Sequence, residues 1–339
     1  MSYTENYQKW LDFAELPAYL HDELVAMDEK TKEDAFYTNL EFGTAGMRGL
    51  IGAGTNRINI YVVRQATEGL AQLIDSKGEE AKKRGVAIAY DSRHFSPEFA
   101  FESAQVLAAH GIKSYVFESL RPTPELSFAV RHLHTFAGIM VTASHNPAPF
   151  NGYKVYGEDG GQMPPADADA LTDYIRAIEN PFTVQLADLE ESKASGLIEV
   201  IGENVDAEYL KEVKGVNINQ DLINEYGRDM KIVYTPLHGT GEMLARRALA
   251  QAGFEAVQVV EAQAVPDPDF STVKSPNPEN QEAFALAEEL GRKVDADVLV
   301  ATDPDADRLG VEIRQPDGSY LNLSGNQIGA IIAKYILEA

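Results

Sequence analysis

V-A-I-A-Y-D-S-R-H, Val86 to His94, sets an apolar run directly before a polar turn. The run predicts a buried strand over Val86–Tyr90, and the turn leads into a helix from Pro97 to His110. Gly111 stops that helix, and Ile112–Phe117 reads as a second strand, which completes a βαβ unit. The pattern returns. Lys231–Tyr234 gives way to T-P-L-H-G-T-G ending at Gly241, then a helix through Ala252, Gly253 and a strand over Ala256–Val260. Each copy adds a further strand, Ala137–Val141 or Ala296–Val300, and then a polar loop, T-A-S-H-N-P (142–147) or A-T-D-P-D-A-D-R (301–308). A short strand follows each loop, Gly152–Tyr156 or Leu309–Ile313. Two copies of one α/β domain are predicted, with the boundary in the charged stretch after Leu197.

Composition narrows the function. The 339 residues are 44% hydrophobic, enough for two domains and the start of a third. Lys and Arg number 29 against 53 Asp and Glu, a net charge of -24 that repels polyphosphate and anionic lipid, so neither nucleic acid nor a membrane is expected as partner. No apolar run approaches the ~18 residues that span a bilayer, and the polar N-terminus has no h-region, so a cytoplasmic protein is expected. The absence of cysteine removes disulfides, thiolate nucleophiles and sulfur-bound zinc.

In α/β sheets, ligand-handling groups gather beyond the carboxyl ends of strands. Ser144 and the trio Asp303, Asp305 and Asp307 occupy that place in their own copies, so two facing domains bring a hydroxyl and an acidic cluster to one cleft. Three carboxylates in a tight loop suit a hard divalent cation, Mg²⁺ above all. An EF-hand is excluded, because its sixth and twelfth positions are Arg308 and Arg314 here. The spacing of Asp303 and Asp305 also fits a phosphatase of the haloacid-dehalogenase type, with Asp303 as nucleophile, and that alternative stays open. A solvated acidic loop is the bland alternative. Ser144 lacks the G-x-S-x-G setting of a hydrolase elbow. Its chain neighbour His145 is expected to point away, as adjacent residues leaving a strand do. Beside a metal and several cations, Ser144 can instead hold a phosphoryl group. Candidate cations are Arg48 in the glycine-rich F-G-T-A-G-M-R-G (42–49), Arg93, Lys154 and Arg308. Each of them can equally be a surface charge.

Taken in order, G-T-A-G-M-R-G, D-S-R, T-A-S-H-N-P, N-G-Y-K-V-Y and D-P-D-A-D-R resemble the α-D-phosphohexomutases over nearly the whole chain. The long segment before E-F-G-T-A-G-M-R-G is similar to the phosphoglucomutase and phosphopentomutase branch. The resemblance implies two tandem duplicated α/β domains of phosphoglucomutase type, with mixed sheets flanked by helices, plus the opening helix of a third. The expected limits are 1–205 and 206–320, with 321–339 beginning the third domain and the rest of it and a fourth domain absent. The resemblance further implies a phosphorylated Ser144, and Mg²⁺ held by Asp303, Asp305, Asp307 and a phosphoserine oxygen. Arg48, Arg93, Lys154 and Arg308 would hold phosphate, with Arg48, Lys154 and His145 assisting the chemistry. The implied substrate is a hexose monophosphate, most simply that of glucose, with glucose 1,6-bisphosphate as activator. Without the missing domains the chain is expected to be inactive or very weak, or a non-catalytic metal- or phosphosugar-binding fragment. Its last helix, Asn326–Leu337, is then expected to expose Ile328, Ile331, Ile332, Tyr335 and Ile336 for self-association or docking with a C-terminal half.

Overall fold

The apolar runs fold into two sheets of related topology in the computed structural model, which describes residues 2–43 and 46–338. The first sheet holds β1 (Met47–Leu50), β2 (Val86–Tyr90), β3 (Ser114–Phe117), β4 (Ala137–Val141), β5 (Phe150–Tyr156) and β6 (Ile198–Ile201), in the order β1-β5-β4-β2-β3-β6. The second holds β7 (Ile232–Thr235), β8 (Val257–Val259), β9 (Val298–Thr302), β10 (Leu309–Arg314) and β11 (Tyr320–Leu323), in the order β11-β10-β9-β7-β8. The inner order of the two sheets is the same. β2 pairs in parallel with β3 and β4, as β7 does with β8 and β9, while β5 and β10 run antiparallel to β4 and β9. These are the two predicted copies, each a mixed sheet flanked by helices.

β2 and β4 are buried along their whole length, which is why both read as unbroken apolar runs rather than alternating ones. One face of the first sheet packs on the helices Ile60–Lys77 and Ser96–Ala109, the other on Thr123–His132. In the second unit the helix Ala285–Val294 covers Leu299 and Ala301. The three N-terminal helices close over Trp10, which meets Phe36, Tyr61 and Phe182 edge-on.

One strand boundary differs from expectation. The strand predicted from Ile112 begins at Ser114, because the Ile112 N–H still donates to Leu107 O and closes the preceding helix. The charged stretch after Leu197 contributes β6 to the first sheet, and the division expected at 205/206 falls inside the helix Glu203–Gly215. The last helix spans Gly325–Glu338 with none of its residues buried, and Ile331, Ile332, Tyr335, Ile336 and Leu337 are exposed. Among the described residues no helix is long and apolar enough to cross a membrane.

Candidate active site

Beyond β4 the chain turns sharply. Thr142 Oγ1 donates to Asp91 Oδ2 at 2.6 Å and accepts from the Ser144 N–H at 2.8 Å, while Ser144 itself sits at φ 53°, the left-handed region. Such a conformation costs about 1–3 kcal/mol and persists only where its surroundings enforce it. Arg93 supplies the enforcement. Its Nη2 donates to the carbonyls of Ser144 and Asn146 at 2.5 Å, and its Nη1 to those of Pro147 and Phe150 at 2.9 Å. Its Nε lies 3.2 Å from Asp91 Oδ2, and both side chains are fully buried. Arg93 was expected to meet phosphate. Its terminal nitrogens are instead spent on the backbone of the serine loop, which makes D-S-R-H a clamp.

The left-handed turn also overturns the expectation for His145. Side chains alternate only along extended backbone. With Ser144 out of that conformation, His145 Nδ1 lies 3.2 Å from Ser144 Oγ. Burial, then Arg308 and Arg48, lower the imidazole's pKa.

Beyond β9, a second left-handed residue, Ala306 at φ 53°, tightens D-P-D-A-D so that one oxygen from each of Asp303, Asp305 and Asp307 falls within 4.8 Å of the others. The T-P-L-H-G-T-G loop after β7 braces this turn: the Thr240 N–H donates to Pro304 O at 2.8 Å. Gly239 permits that approach, since a Cβ there would stand 2.4 Å from Pro304 Cα.

The two loops meet. Ser144 Oγ donates to Asp303 Oδ2 at 2.8 Å. Lys154, on β5, donates to Asp305 Oδ2 at 2.7 Å and reaches Asp307 Oδ2 at 3.5 Å. Burial works against its charge, but Asp305, Tyr156 and Asp307 outweigh it and raise its pKa. Arg48 Nη1 lies 3.3 Å from Asn146 Oδ1 and 3.5 Å from Ala143 O, at the edge of the serine loop. Thr44 and Ala45 of the same glycine-rich stretch lie outside the described residues. Arg308 gives its N–H to Asp303 Oδ1 at 3.1 Å, while its side chain is 40% exposed and only loosely paired with Glu279 and Asp307.

The acidic trio fits a divalent cation. Burial and then Asp305 push the Asp303 carboxyl up, whereas Lys154 and hydrogen bonds hold Asp305 down against its own burial. Among the described residues Asp305 Oδ1 is buried without a hydrogen-bond partner. Crowded carboxylates with a free buried oxygen are what a hard cation relieves. Asp303 fits a phosphatase nucleophile poorly, because both its oxygens are engaged, one by Ser144 Oγ and one by the Arg308 N–H. Three supporting residues escaped sequence reading: Asp91 and Thr142, which lie within the quoted motifs, and Thr123, which donates to Asp305 Oδ2 at 2.9 Å. The signal for Thr123 was a lone polar residue between two prolines after a strand.

The family model for phosphoglucomutase/phosphomannomutase alpha/beta/alpha domain I matches residues 39–182, and that for domain II matches 207–316. The chain belongs to this family, the α-D-phosphohexomutases. It is 41% identical over 308 residues to a phosphoglucomutase of Staphylococcus epidermidis, covering 91% of this chain and 55% of that protein. It is also 41% identical over 325 residues to the Staphylococcus haemolyticus phosphoglucomutase, covering 94% of this chain and 58% of the relative. Among solved structures, a Thermus thermophilus protein described as a phosphomannomutase superposes with a TM-score of 0.73 at 26% identity, covering 89% of this chain and 62% of that one. The open form of Paramecium parafusin shares the fold at a TM-score of 0.63 and 18% identity, covering 84% of this chain and 55% of that one. The chain thus spans about half the length of the curated relatives it matches.

Proposed function

We propose that this chain carries the phosphoryl-transfer centre of a phosphoglucomutase, in which Ser144 holds a phosphoryl group and exchanges it with a hexose monophosphate. The observation that carries the reading is the 2.8 Å contact of Ser144 Oγ with Asp303 Oδ2, which joins a left-handed serine to an acidic trio from the other unit. Phosphoserine at 144 passes its phosphoryl group to the free hydroxyl of the sugar, whose proton goes by way of His145 to the departing Ser144 Oγ, leaving a bound 1,6-bisphosphate and the free Ser144 hydroxyl. The bisphosphate reorients, and its other phosphoryl group returns to Ser144 Oγ. His145, 3.2 Å from that oxygen, accepts its proton at this step and passes it to the sugar oxygen that the phosphoryl group leaves. Arg48 and the half-free Arg308 steady the equatorial phosphate oxygens, and Lys154 balances charge on the acidic loop. Asp303, Asp305, Asp307 and a phosphoserine oxygen would hold Mg²⁺, which when bound neutralises developing charge on the phosphoryl oxygens. Glucose phosphates are the substrates proposed, with glucose 1,6-bisphosphate as activator, in keeping with relatives named phosphoglucomutase at 41% identity.

The test is intact mass before and after incubation with glucose 1,6-bisphosphate and Mg²⁺. One phosphoryl group is expected on Ser144, stable to hydroxylamine and absent from Ser144→Ala. Hydroxylamine-labile label that persists in Ser144→Ala and vanishes in Asp303→Asn would transfer the chemistry to the aspartate.

A further inference from the structure

R-P-T-P, Arg121 to Pro124, leaves β3 and enters the helix Thr123–His132. Pro122 fixes an extended entry, and the Thr123 N–H is one of the helix's first donors, with no carbonyl within the helix to receive it. It donates to Asp305 O at 2.9 Å, and Thr123 Oγ1 donates to Asp305 Oδ2 at the same distance. Asp305 is therefore gripped at backbone and side chain by one residue of the opposite unit. Oδ2 also receives Lys154 Nζ, so the donors converge on a single oxygen and leave Oδ1 buried and, among the described residues, without a partner.

The turn is anchored on its other side. Arg121 Nε and Nη2 donate to the two oxygens of Asp206 at 2.8 Å each, and Nη1 donates to Leu120 O at 3.1 Å. Both partners are buried, and the planar guanidinium admits little rotation about such a bidentate pair. Asp206 lies on the helix Glu203–Gly215. Its neighbour Glu203 takes both terminal nitrogens of Arg247, at 2.8 and 2.6 Å, from the helix Gly241–Ala252. R-P-T-P is thus held to the second unit at its helices and at its acidic loop together.

We propose that Thr123 is a positioning residue for the acidic loop: it fixes the Asp305 carboxylate so that Oδ1 is the oxygen offered to a divalent cation, and the Arg121–Asp206 pair keeps Thr123 at that reach. This rests on reading D-P-D-A-D as a Mg²⁺ site. Partners that orient a ligand carboxylate are typically worth about 10–100-fold in metal affinity.

The test is calorimetric Mg²⁺ titration of the full chain as wild type, Thr123→Val and Thr123→Ser, with thermal melts alongside. Thr123→Val keeps the side-chain shape and loses the hydroxyl, so its affinity should fall about 10–100-fold with little change in melting. Thr123→Ser restores the donor and should recover most of the affinity. If Thr123→Val melts early, Thr123→Ala at a temperature where it remains folded carries the same comparison. Wild-type affinity in the variants lacking the hydroxyl, or a Thr123→Ser variant as weak as Thr123→Val, overturns the proposal. Absence of Mg²⁺ binding by the wild-type chain overturns it as well. Failure of Ser144 to take up phosphate sinks the mutase reading but leaves the affinity comparison intact, so the two failures are distinguishable.

Discussion

Replacing Arg93 with methionine removes the donors for the carbonyls of Ser144, Asn146, Pro147 and Phe150, and leaves Asp91 as a buried carboxylate without its cation. Breaking one side of a buried pair costs about 3–5 kcal/mol, mostly the penalty on the charge left behind. Trp10, the single tryptophan, packs edge-on against Tyr61 of the helix Ile60–Lys77, so its fluorescence follows unfolding of the first unit. At a urea m-value of about 2 kcal/mol/M, the midpoint of that transition should fall by about 1.5–2.5 M. Arg93→Lys should lose nearly as much, because one ammonium cannot span four carbonyls and a carboxylate. Adding Asp91→Asn to Arg93→Met removes the stranded charge and should return part of the loss. A shift under about 0.3 M for Arg93→Met, or a double variant no better than the single one, would refute the clamp.

Two further outcomes depend on pH. Burial and then Asp206 push the Glu125 carboxyl up to about 9, so the folded chain holds that proton where the unfolded chain releases it. Stability from this group is therefore full below the ordinary carboxylate range and lost as pH rises toward 9. Glu125→Gln should flatten the decline in melting temperature between about pH 5 and 9; parallel curves for the two proteins would discount the group. His110 presents the basic counterpart: its Nε2 meets Glu68 at 3.0 Å and its Nδ1 meets Asp75 at 2.7 Å. The Glu68 hydrogen bond, opposed by burial and aided by Asp75, lifts its pKa to about 9. Its contribution is full below the ordinary histidine pKa and vanishes as pH passes about 9. Urea midpoints should show His110→Gln costing on the order of 2 kcal/mol at neutral pH and little near pH 10. An equal cost at both pH values would assign the loss to packing.

What the sequence discloses here follows from the range of each cause. β2 and β4 are covered on both faces, so their apolar runs are unbroken and the repeat is visible. Ser144 and the three aspartates stand out because polar residues directly after buried strands have few structural uses. Arg93 illustrates the limit, since nothing in D-S-R-H says whether its guanidinium turns outward to an anion or inward to carbonyls more than 50 residues away. The position of His145 depends on one dihedral angle, that of Ser144. Thr123 and Asp305 stand 182 residues apart, and no local pattern links them. β6 was hidden for another reason: Ile198 and Ile201 are buried while Glu199 and Val200 are exposed, so a short edge strand looks like charged linker.

Duplication explains why such a site can arise, but electrostatics explains why its halves stay together. Lys154 is 1% exposed on β5, and its hydrogen-bond partners among the described residues are Asp305 and Asp307, both from the second unit. Asp303 and Asp305 are likewise buried, and the side-chain donors they receive come from Ser144, Thr123 and Lys154 of the first. Separating the units would strand a cation on one surface and carboxylates on the other. Returning each to water recovers hydration, but it gives up hydrogen bonds whose cost of desolvation is already met by the geometry. A divalent cation on Asp305 Oδ1 would change that balance, because it would lower the negative charge that holds the Lys154 ammonium on Oδ2. Metal loading and phosphate binding should therefore be coupled through Lys154, each favouring the other across the junction between the two units.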